Sequence, residues 1–342
     1  MDAKLLSLCF HDLYQAGLTT ASGGNISCRQ TDGLICISPS QIDKGYLKPQ
    51  DFALLNFDGV QVGNNKPSME YPFHLSLYRK FPHIKTVVHI HPLVFVALSL
   101  LSKNDYELKG ISEKFNFGYA DYAIPGSDLL GSNICKAFKD NVDVVLMQNH
   151  GVIAIGTELN VVIERIVELN QAIIKHFNLG SIVDKFSLTG KLNLKSENTS
   201  RFYEERTKHF LSIKNEVKFV EYNKRGLFTT AVQFQSLKLG SHSAFSTHII
   251  PESYLILKDP LFQNKKFNKA QIDVYLKLFD EQIKVLIFND GWALISGTSL
   301  YNLYDKMEVL DFTAKVILIA LKMGQIDLLS DSQILKLKEK FL

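Results

Sequence analysis

Two histidines stand two residues apart in an apolar, β-branched run, Val87-Val88-His89-Ile90-His91-Pro92. In a strand, residues i and i+2 project to the same face. Both imidazoles therefore lie side by side, at the spacing a metal needs for two neighbouring ligands. A third histidine closes a second apolar run, Val144-Val145-Leu146-Met147-Gln148-Asn149-His150-Gly151. Three neutral imidazoles with one position left open make the ligand set of a catalytic zinc. Two such rings could instead bond to each other in a core, but burying them without a metal or partner is costly. Zinc on His89, His91 and His150 is the first expectation, and cobalt, nickel or iron suit the same set. One carboxylate, Glu70, lies upstream in Pro67-Ser68-Met69-Glu70. An open metal position activates a water or polarises a carbonyl, and Glu70 is the candidate general base. Such a pair can take a proton next to a carbonyl and stabilise the enediolate on zinc. Run in the other direction, it cleaves the adjacent C–C bond.

These residues need elements to hold them. Residues 2–17 carry apolar positions at Leu5, Leu6, Cys9, Leu13 and Tyr14 with Gly17 behind them, an amphipathic helix with a glycine stop. The following Ser22-Gly23-Gly24-Asn25-Ile26-Ser27 lets backbone approach a ligand and present amides to an anion. It equally fits a plain tight turn before a strand. Leu34 to Ser40 reads as a short buried strand, and Asp51 to Phe57 as another that turns at Asp58-Gly59. Ser68 is the expected N-cap of a helix over Glu70 to Phe81, with Glu70 in its first turn, where the dipole favours a carboxylate. His74, one turn on along the same face, could partner Glu70, but it reads first as an ordinary surface histidine. Thr86 to His91 is the ligand strand, Leu93 to Leu101 a buried helix, and Ser127 the cap of a helix from Asp128. Strands follow over Val142 to Met147 and Gly151 to Gly156, then a helix from Leu159 to Leu179 closed by Gly180. The irregular mixture predicts an α/β or α+β layered fold on an antiparallel or mixed sheet.

The whole chain has 342 residues, 46% hydrophobic and 21% charged, room for one large or two ordinary domains of a globular protein. A net charge of +3 gives no reason to expect nucleic acid or an anionic membrane surface. The apolar stretch from Leu93 to Leu101 is too short to span a bilayer. The first residues lack the basic-then-apolar pattern of a secretion signal. Cys9, Cys28, Cys36 and Cys135 form no CxxC pair and read as buried apolar residues in a reducing compartment, so a cytoplasmic protein is expected.

The second half echoes the first. Val285-Leu286-Ile287-Phe288-Asn289-Asp290-Gly291-Trp292 onward repeats Val144 to Thr157, with one residue added after the shared glycine and one dropped before it, and a long apolar-periodic helix follows both copies. His248-Ile249-Ile250-Pro251-Glu252-Ser253 echoes Cys36-Ile37-Ser38-Pro39-Ser40. Asp290 stands where the first copy has His150, and no HxH recurs. The expected organisation is a catalytic domain over 1–185, a polar linker over 186–200 and a degenerate, metal-free repeat over 201–342.

Taken in order, Ser22-Gly23-Gly24-Asn25-Ile26-Ser27, Ile37-Ser38-Pro39-Ser40, Lys66-Pro67-Ser68-Met69-Glu70, Val88-His89-Ile90-His91-Pro92 and Gln148-Asn149-His150-Gly151 resemble the class II aldolase/adducin family, over about residues 2–180. The resemblance implies a three-layer α/β/α fold around a mixed or antiparallel sheet and a divalent metal, usually zinc, on His89, His91 and His150. It also implies Glu70 as the acid–base, and a substrate phosphate held at Gly24, Asn25, Ser40 and Ser68. Gln41 and Met69 depart from the family's phosphate pocket, and Lys44 could compensate. An aspartate at the Glu70 position marks the family's epimerases, so Glu70 argues against that activity. The expected function is that of an aldolase acting on a small sugar phosphate. A methylthioribulose-phosphate-type dehydratase is an alternative, supported by Asp43-Lys44-Gly45-Tyr46-Leu47-Lys48-Pro49-Gln50-Asp51-Phe52, a run some aldolase-like members also show. A non-catalytic adducin-like assembly module is another. Family members are commonly tetramers. A homo-oligomer is expected, and the duplication suggests a dimer that imitates the tetramer.

Overall fold

A computed structural model describes residues 2–40, 42–102, 106–139, 141–183, 199–210, 220–222, 227–239, 245–279 and 284–342. Gln41 and residues 184–198, most of the expected linker, lie outside them. The chain divides into two units, Met1–Val183 with Ile319–Leu328, and Asp184–Leu318 with Leu329–Leu342.

In the first unit, helix α1 (Ala3–Gln15) is capped by Asp2, whose carboxylate accepts the Leu5 amide at 3.0 Å. It leads to β1 (Asn25–Arg29), β2 (Ile35–Ile37), β3 (Ala53–Leu55) and β4 (Gln61–Val62), then α2 (Tyr71–Lys80), β5 (Thr86–Ile90) and α3 (Leu93–Ser99). Helix α4 (Tyr106–Phe115), β6 (Gly118–Ala120), α5 (Asp128–Ala137), β7 (Val144–Met147), β8 (Gly151–Gly156), α6 (Leu159–His176) and the short α7 (Gly180–Val183) complete it. The strands form one mixed sheet in the order β4-β3-β2-β1-β5-β8-β7-β6. Its edge pair β6 and β7 is parallel and the other pairs are antiparallel. Helices α2 and α5 pack on one face, and α1, α3 and α6 on the other. The run Val87-Val88 is apolar on both sides because both faces are covered. Phe73, Leu77, Val87, Ile134, Val145 and Ile153 share the α2–α5 core and are almost wholly buried. Each such side chain contributes about 1.5–3 kcal/mol by leaving water.

Three local expectations change. The helix expected from Glu70 begins at Tyr71, with Pro72 in its first turn, so Glu70 sits at the cap position instead of inside the helix. Ser68 Oγ accepts the Glu70 amide at 3.3 Å, and it caps a turn rather than the helix. Helix α6 is stopped by Asn178 in the left-handed region (φ 52) before Gly180 is reached.

The second unit holds α8 (Thr199–Phe210), β9 (Val220–Tyr222), β10 (Leu227–Gln233), α9 (Gln235–Leu239), α10 (Pro251–Leu257), β11 (Leu261–Gln263) and α11 (Ile272–Leu276). β12 (Val285–Phe288), β13 (Trp292–Gly297), α12 (Leu300–Met323) and α13 (Asp331–Phe341) follow. Its sheet runs β11-β12-β13-β10-β9, with β11 and β12 parallel and the remaining pairs antiparallel. The stretch that echoes Cys36 to Ser40 does not form a strand. Pro251 starts helix α10, as a proline at the first helical position favours.

Candidate metal and acid–base site

The sheet register brings the site together. His89 is the fourth residue of β5 and His91 lies just past its end, on the same side. Asn25 on β1 stands directly opposite His89. His150 ends the turn between β7 and β8, whose strand β8 runs beside β5 with Ile153 opposite His89. The Nε2 atoms of His89 and His91 come within 3.1 Å. His89, His91 and His150, all buried, offer ligand atoms within 4.8 Å of one another.

Glycines make the approach possible. A Cβ on Gly151 would meet His91 Cδ2 at 2.6 Å and the Ile90 carbonyl at 2.8 Å, so the His91 ring comes up against bare backbone. Gly24, at φ 71, brings its turn against β5, and a Cβ there would meet the His89 carbonyl at 2.6 Å. The His150 turn is braced twice. Ser99 O accepts the Asn149 amide at 3.0 Å, and Ser99 Oγ accepts the His150 amide at 3.3 Å. Asn149, at φ 49, also donates from Nδ2 to the Asp327 carbonyl at 2.8 Å.

The electrostatics suit a cation. Burial pushes the pKa values of His89 and His150 well below the usual histidine range, so both rings are neutral. His89 Nδ1 lies 3.0 Å from the Val152 carbonyl, an atom that can only accept, which places the proton on Nδ1. His89 Nε2 therefore carries a lone pair. It faces Glu70 Oε2 at 3.4 Å, while His150 Nε2 faces Glu70 Oε1 at 3.4 Å. A lone pair opposite a carboxylate oxygen is repulsive unless a cation stands between or beside them. The three imidazoles and the adjacent carboxylate thus fit a divalent transition metal.

The other expected residues gather around Glu70. Asn25 Nδ2 donates to Glu70 Oε2 at 2.7 Å. Residues Pro39 and Pro67 pair as an isolated bridge, which sets Ser40 and Ser68 on adjoining segments. Ser40 Oγ accepts the Met69 amide at 2.9 Å, and the Ser68 amide donates to the Ser38 carbonyl at 2.9 Å. Lys44 ties this corner together. Its amide donates to the Ala21 carbonyl at 2.8 Å and its Nζ to the Pro39 carbonyl. Burial lowers its pKa to about 8, against the attraction of Asp43 and Glu70. Met69 is largely exposed.

The preferred reading of His74 as a surface histidine is overturned, because it is fully buried. It lies on α2 four residues after Glu70 and bonds to Asn25 and Ser27. The signal was available: a helix face that aims Glu70 at the sheet aims residue i+4 there too. Tyr119 and Tyr122 were passed over. Their hydroxyls are buried without a hydrogen-bond partner, and the Tyr122 amide donates to Gln148 Oε1 at 3.0 Å in the His150 turn.

A buried triad of imidazoles with one carboxylate, at the end of a mixed sheet covered by helices on both faces, defines a metal-dependent α/β enzyme site. The family described as Class II Aldolase and Adducin N-terminal domain matches residues 4–174, half of the chain, and the chain belongs to it. It is an enzyme of the aldolase-type lyase class. An L-fuculose phosphate aldolase of Methanococcus vannielii is 31% identical over 181 residues, covering 51% of this chain and 97% of that one. A 3-oxo-tetronate 4-phosphate decarboxylase of Escherichia coli K12 is 30% identical over 186 residues, covering 52% of this chain and 87% of that one. The crystal structure of YgbL from Escherichia coli, a putative aldolase/epimerase/decarboxylase, is 27% identical with a TM-score of 0.47, over 57% of this chain and 93% of that one. Among the described residues no helix is long and apolar enough to cross a membrane.

Proposed function

We propose that this chain is a metal-dependent lyase that cleaves or forms a C–C bond in a small sugar phosphate. One observation carries the reading: three buried imidazoles converge with the Glu70 carboxylate 3.4 Å from two of them. His89, His91 and His150 would hold the ion, with zinc the first choice. When bound, it supplies a Lewis acid that polarises a carbonyl oxygen. Glu70 moves the proton. In bond formation it takes one from the carbon beside the carbonyl, and in cleavage it returns one to the same carbon. Gly24, Asn25, Ser40 and Ser68 are assigned to the substrate phosphate, Asn25 through its second amide hydrogen.

A second reading shares every residue. The decarboxylase relatives favour a substrate that leaves carbon dioxide rather than an aldehyde. Both reactions finish with a proton delivered to carbon next to a carbonyl, so Glu70 keeps its role. The deciding experiment offers L-fuculose phosphate and 3-oxo-tetronate 4-phosphate to zinc-loaded protein and follows aldehyde and carbon dioxide separately. Release of neither product would remove both readings. Replacing Glu70→Gln should keep metal at about one ion per chain while lowering turnover on the order of 10²–10⁴-fold. Full activity in that variant would take Glu70 out of the mechanism.

The second unit is read as a degenerate, metal-free repeat. The reading is supported by strand order and direction, since β6-β7-β8-β5-β1 and β11-β12-β13-β10-β9 share one parallel pair followed by three antiparallel ones. In this reading the repeat stands in for a neighbouring subunit and the chain forms a homodimer that imitates a tetramer. Light scattering from a stable monomer would count against it.

A further inference from the structure

A line of buried polar side chains runs from Glu70 into the first unit's core, built from two sequence periods. Strand β1 contributes Asn25 and Ser27, two apart and on one face. The segment entering α2, and α2 itself, contribute Glu70, His74 and Tyr78, spaced by four. All five are buried. Asn25 bridges Glu70 and His74, with 2.7 Å from its Nδ2 to Glu70 Oε2. Ser27 bridges His74 and Tyr78, at 2.7 Å to His74 Nδ1 and 2.9 Å to the Tyr78 hydroxyl.

The donors and acceptors follow by elimination. An ionised carboxylate only accepts, so Asn25 turns its NH₂ to Glu70 and its carbonyl to His74. That carbonyl only accepts, so His74 Nε2 carries the ring proton. Burial drives the His74 pKa down to about 3, leaving one N–H on the ring. Nδ1 is then an acceptor, Ser27 donates to it, and Tyr78 donates to Ser27. Every member has one allowed orientation. Without the His74 donor, the Asn25 carbonyl loses its anchor and the amide is free to swing its NH₂ out of line with the Glu70 carboxylate.

We propose that His74 is a positioning residue for Glu70, acting through Asn25 by anchoring the carbonyl of the amide whose NH₂ holds the carboxylate. The proposal rests on the reading of Glu70 as the proton-transfer group. It differs from an ordinary core role because what it fixes is a hydrogen-bond direction, not a volume.

The test has two arms. In the first, zinc-loaded protein labelled with ¹⁵N-histidine is compared with the His74→Phe variant to assign the His74 ring. At pH 7 a neutral ring with its proton on Nε2 is expected. A proton on Nδ1, or a doubly protonated ring, overturns the proposal whatever the kinetics. In the second arm, turnover of L-fuculose phosphate and 3-oxo-tetronate 4-phosphate is measured. His74→Phe should lower kcat on the order of 10- to 100-fold, as loss of a supporting hydrogen bond does. KM should stay within about threefold and metal content unchanged. His74→Gln, which keeps an N–H donor, should recover at least about half of that loss on a logarithmic scale. Loss of metal in His74→Phe, or no recovery by His74→Gln, overturns the proposal. If wild-type protein turns over neither phosphate while the Nε2 proton is present, the acid–base reading of Glu70 has failed, and the proposal falls with it for that separate reason.

Discussion

β7 and β8 in the first unit and β12 and β13 in the second are both hairpins that run into a long helix, and they close with different turns. In the first, the His150 amide donates to the Met147 carbonyl at 3.1 Å and Asn149 takes the left-handed conformation. In the second, the Gly291 amide donates to the Phe288 carbonyl at 3.1 Å and Gly291 itself is left-handed at φ 82. The first arrangement releases His150 to meet His89 and His91. The second commits Asp290, whose two carboxylate oxygens each accept the Phe267 amide at 3.2 Å. A hairpin needs its strands paired and its helix packed, and either turn satisfies that. Turn chemistry is therefore the part of this supersecondary unit that can gain or lose a metal ligand without changing the sheet.

The two hairpins match residue for residue, so Gly291 and not the expected Asp290 stands at the position of His150, and Asp290 stands at that of Asn149. The sharpest way to break the comparison is to change the side chains that the two turns carry. His150→Asp should lose most of the metal, read by elemental analysis, and lower turnover by roughly 10³-fold or more, because two imidazoles no longer close the site. Asp290→His should gain no metal. Its hairpin lies beside β10, Leu-Phe-Thr-Thr-Ala-Val-Gln, which supplies no imidazole where β5 supplies His89. A metal ion acquired in the second unit of Asp290→His would show that the turn alone separates the two regions and that the missing imidazole on β10 does not matter.

Much of the first unit could be read from spacing alone. The i, i+2 pair at His89 and His91 follows from strand alternation, and the structure sets their Nε2 atoms 3.1 Å apart. The helix cap at Ser127 is local chemistry and holds as expected. What spacing could not give was direction. Ser68 looked like a helix cap because Ser is a good one, yet Pro72 moved the helix start to Tyr71 and turned Glu70 toward the histidines. His74 looked like a surface residue because its polar partners lie on β1, far away in sequence. Gln41 lies outside the described residues, so that departure from the family's phosphate pocket stays a sequence observation.

Acid should act on the first unit through its buried rings. The His74 pKa falls from 6.5 in the unfolded chain to about 3 in the folded one, because burial disfavours the charged ring. Between these values the unfolded state holds a proton that the folded state does not. Stability is thus fully present above about pH 6.5 and is lost as pH falls toward 3, by about 1.4 kcal/mol per pH unit. At pH 4.5 the loss from this group is roughly 3 kcal/mol by the same relation. His89 and His150 shift in the same direction and steepen the decline in metal-free protein. Urea midpoints of the metal-free protein across this range measure it, and His74→Gln should flatten the slope by one proton. An unchanged slope would mean that His74 is already protonated in the folded chain.

Two glycines sharpen the contrast between the turns further. Gly151→Ala forces a Cβ to within 2.6 Å of His91 Cδ2 and 2.8 Å of the Ile90 carbonyl. It should cost about 1–3 kcal/mol in stability and also weaken metal binding, since the His91 ring must move. Gly291→Ala meets the Phe234 carbonyl at 3.0 Å and is strained by its φ. It should cost about 1 kcal/mol or more and leave metal affinity unchanged. Metal affinity measured by competition with a chelator separates the two. Equal effects on metal would mean that the Gly151 contact does not place His91.

The smallest effect is expected at Asp290 itself. Its carboxylate holds the Phe267 amide, and the Phe267 ring stacks on Trp292 at 5.0 Å and 24° between planes. Asp290→Ala removes that acceptor from a half-buried amide, at a cost of about 1 kcal/mol. Trp292 is the single tryptophan of the sequence, so its fluorescence reports this contact without interference. The expected result is a changed Trp292 emission, a thermal midpoint lowered by a few degrees, and metal content and turnover equal to wild type. If metal content fell instead, Asp290 would be supporting the site, and the second hairpin would have kept a share of the chemistry that its turn gave up.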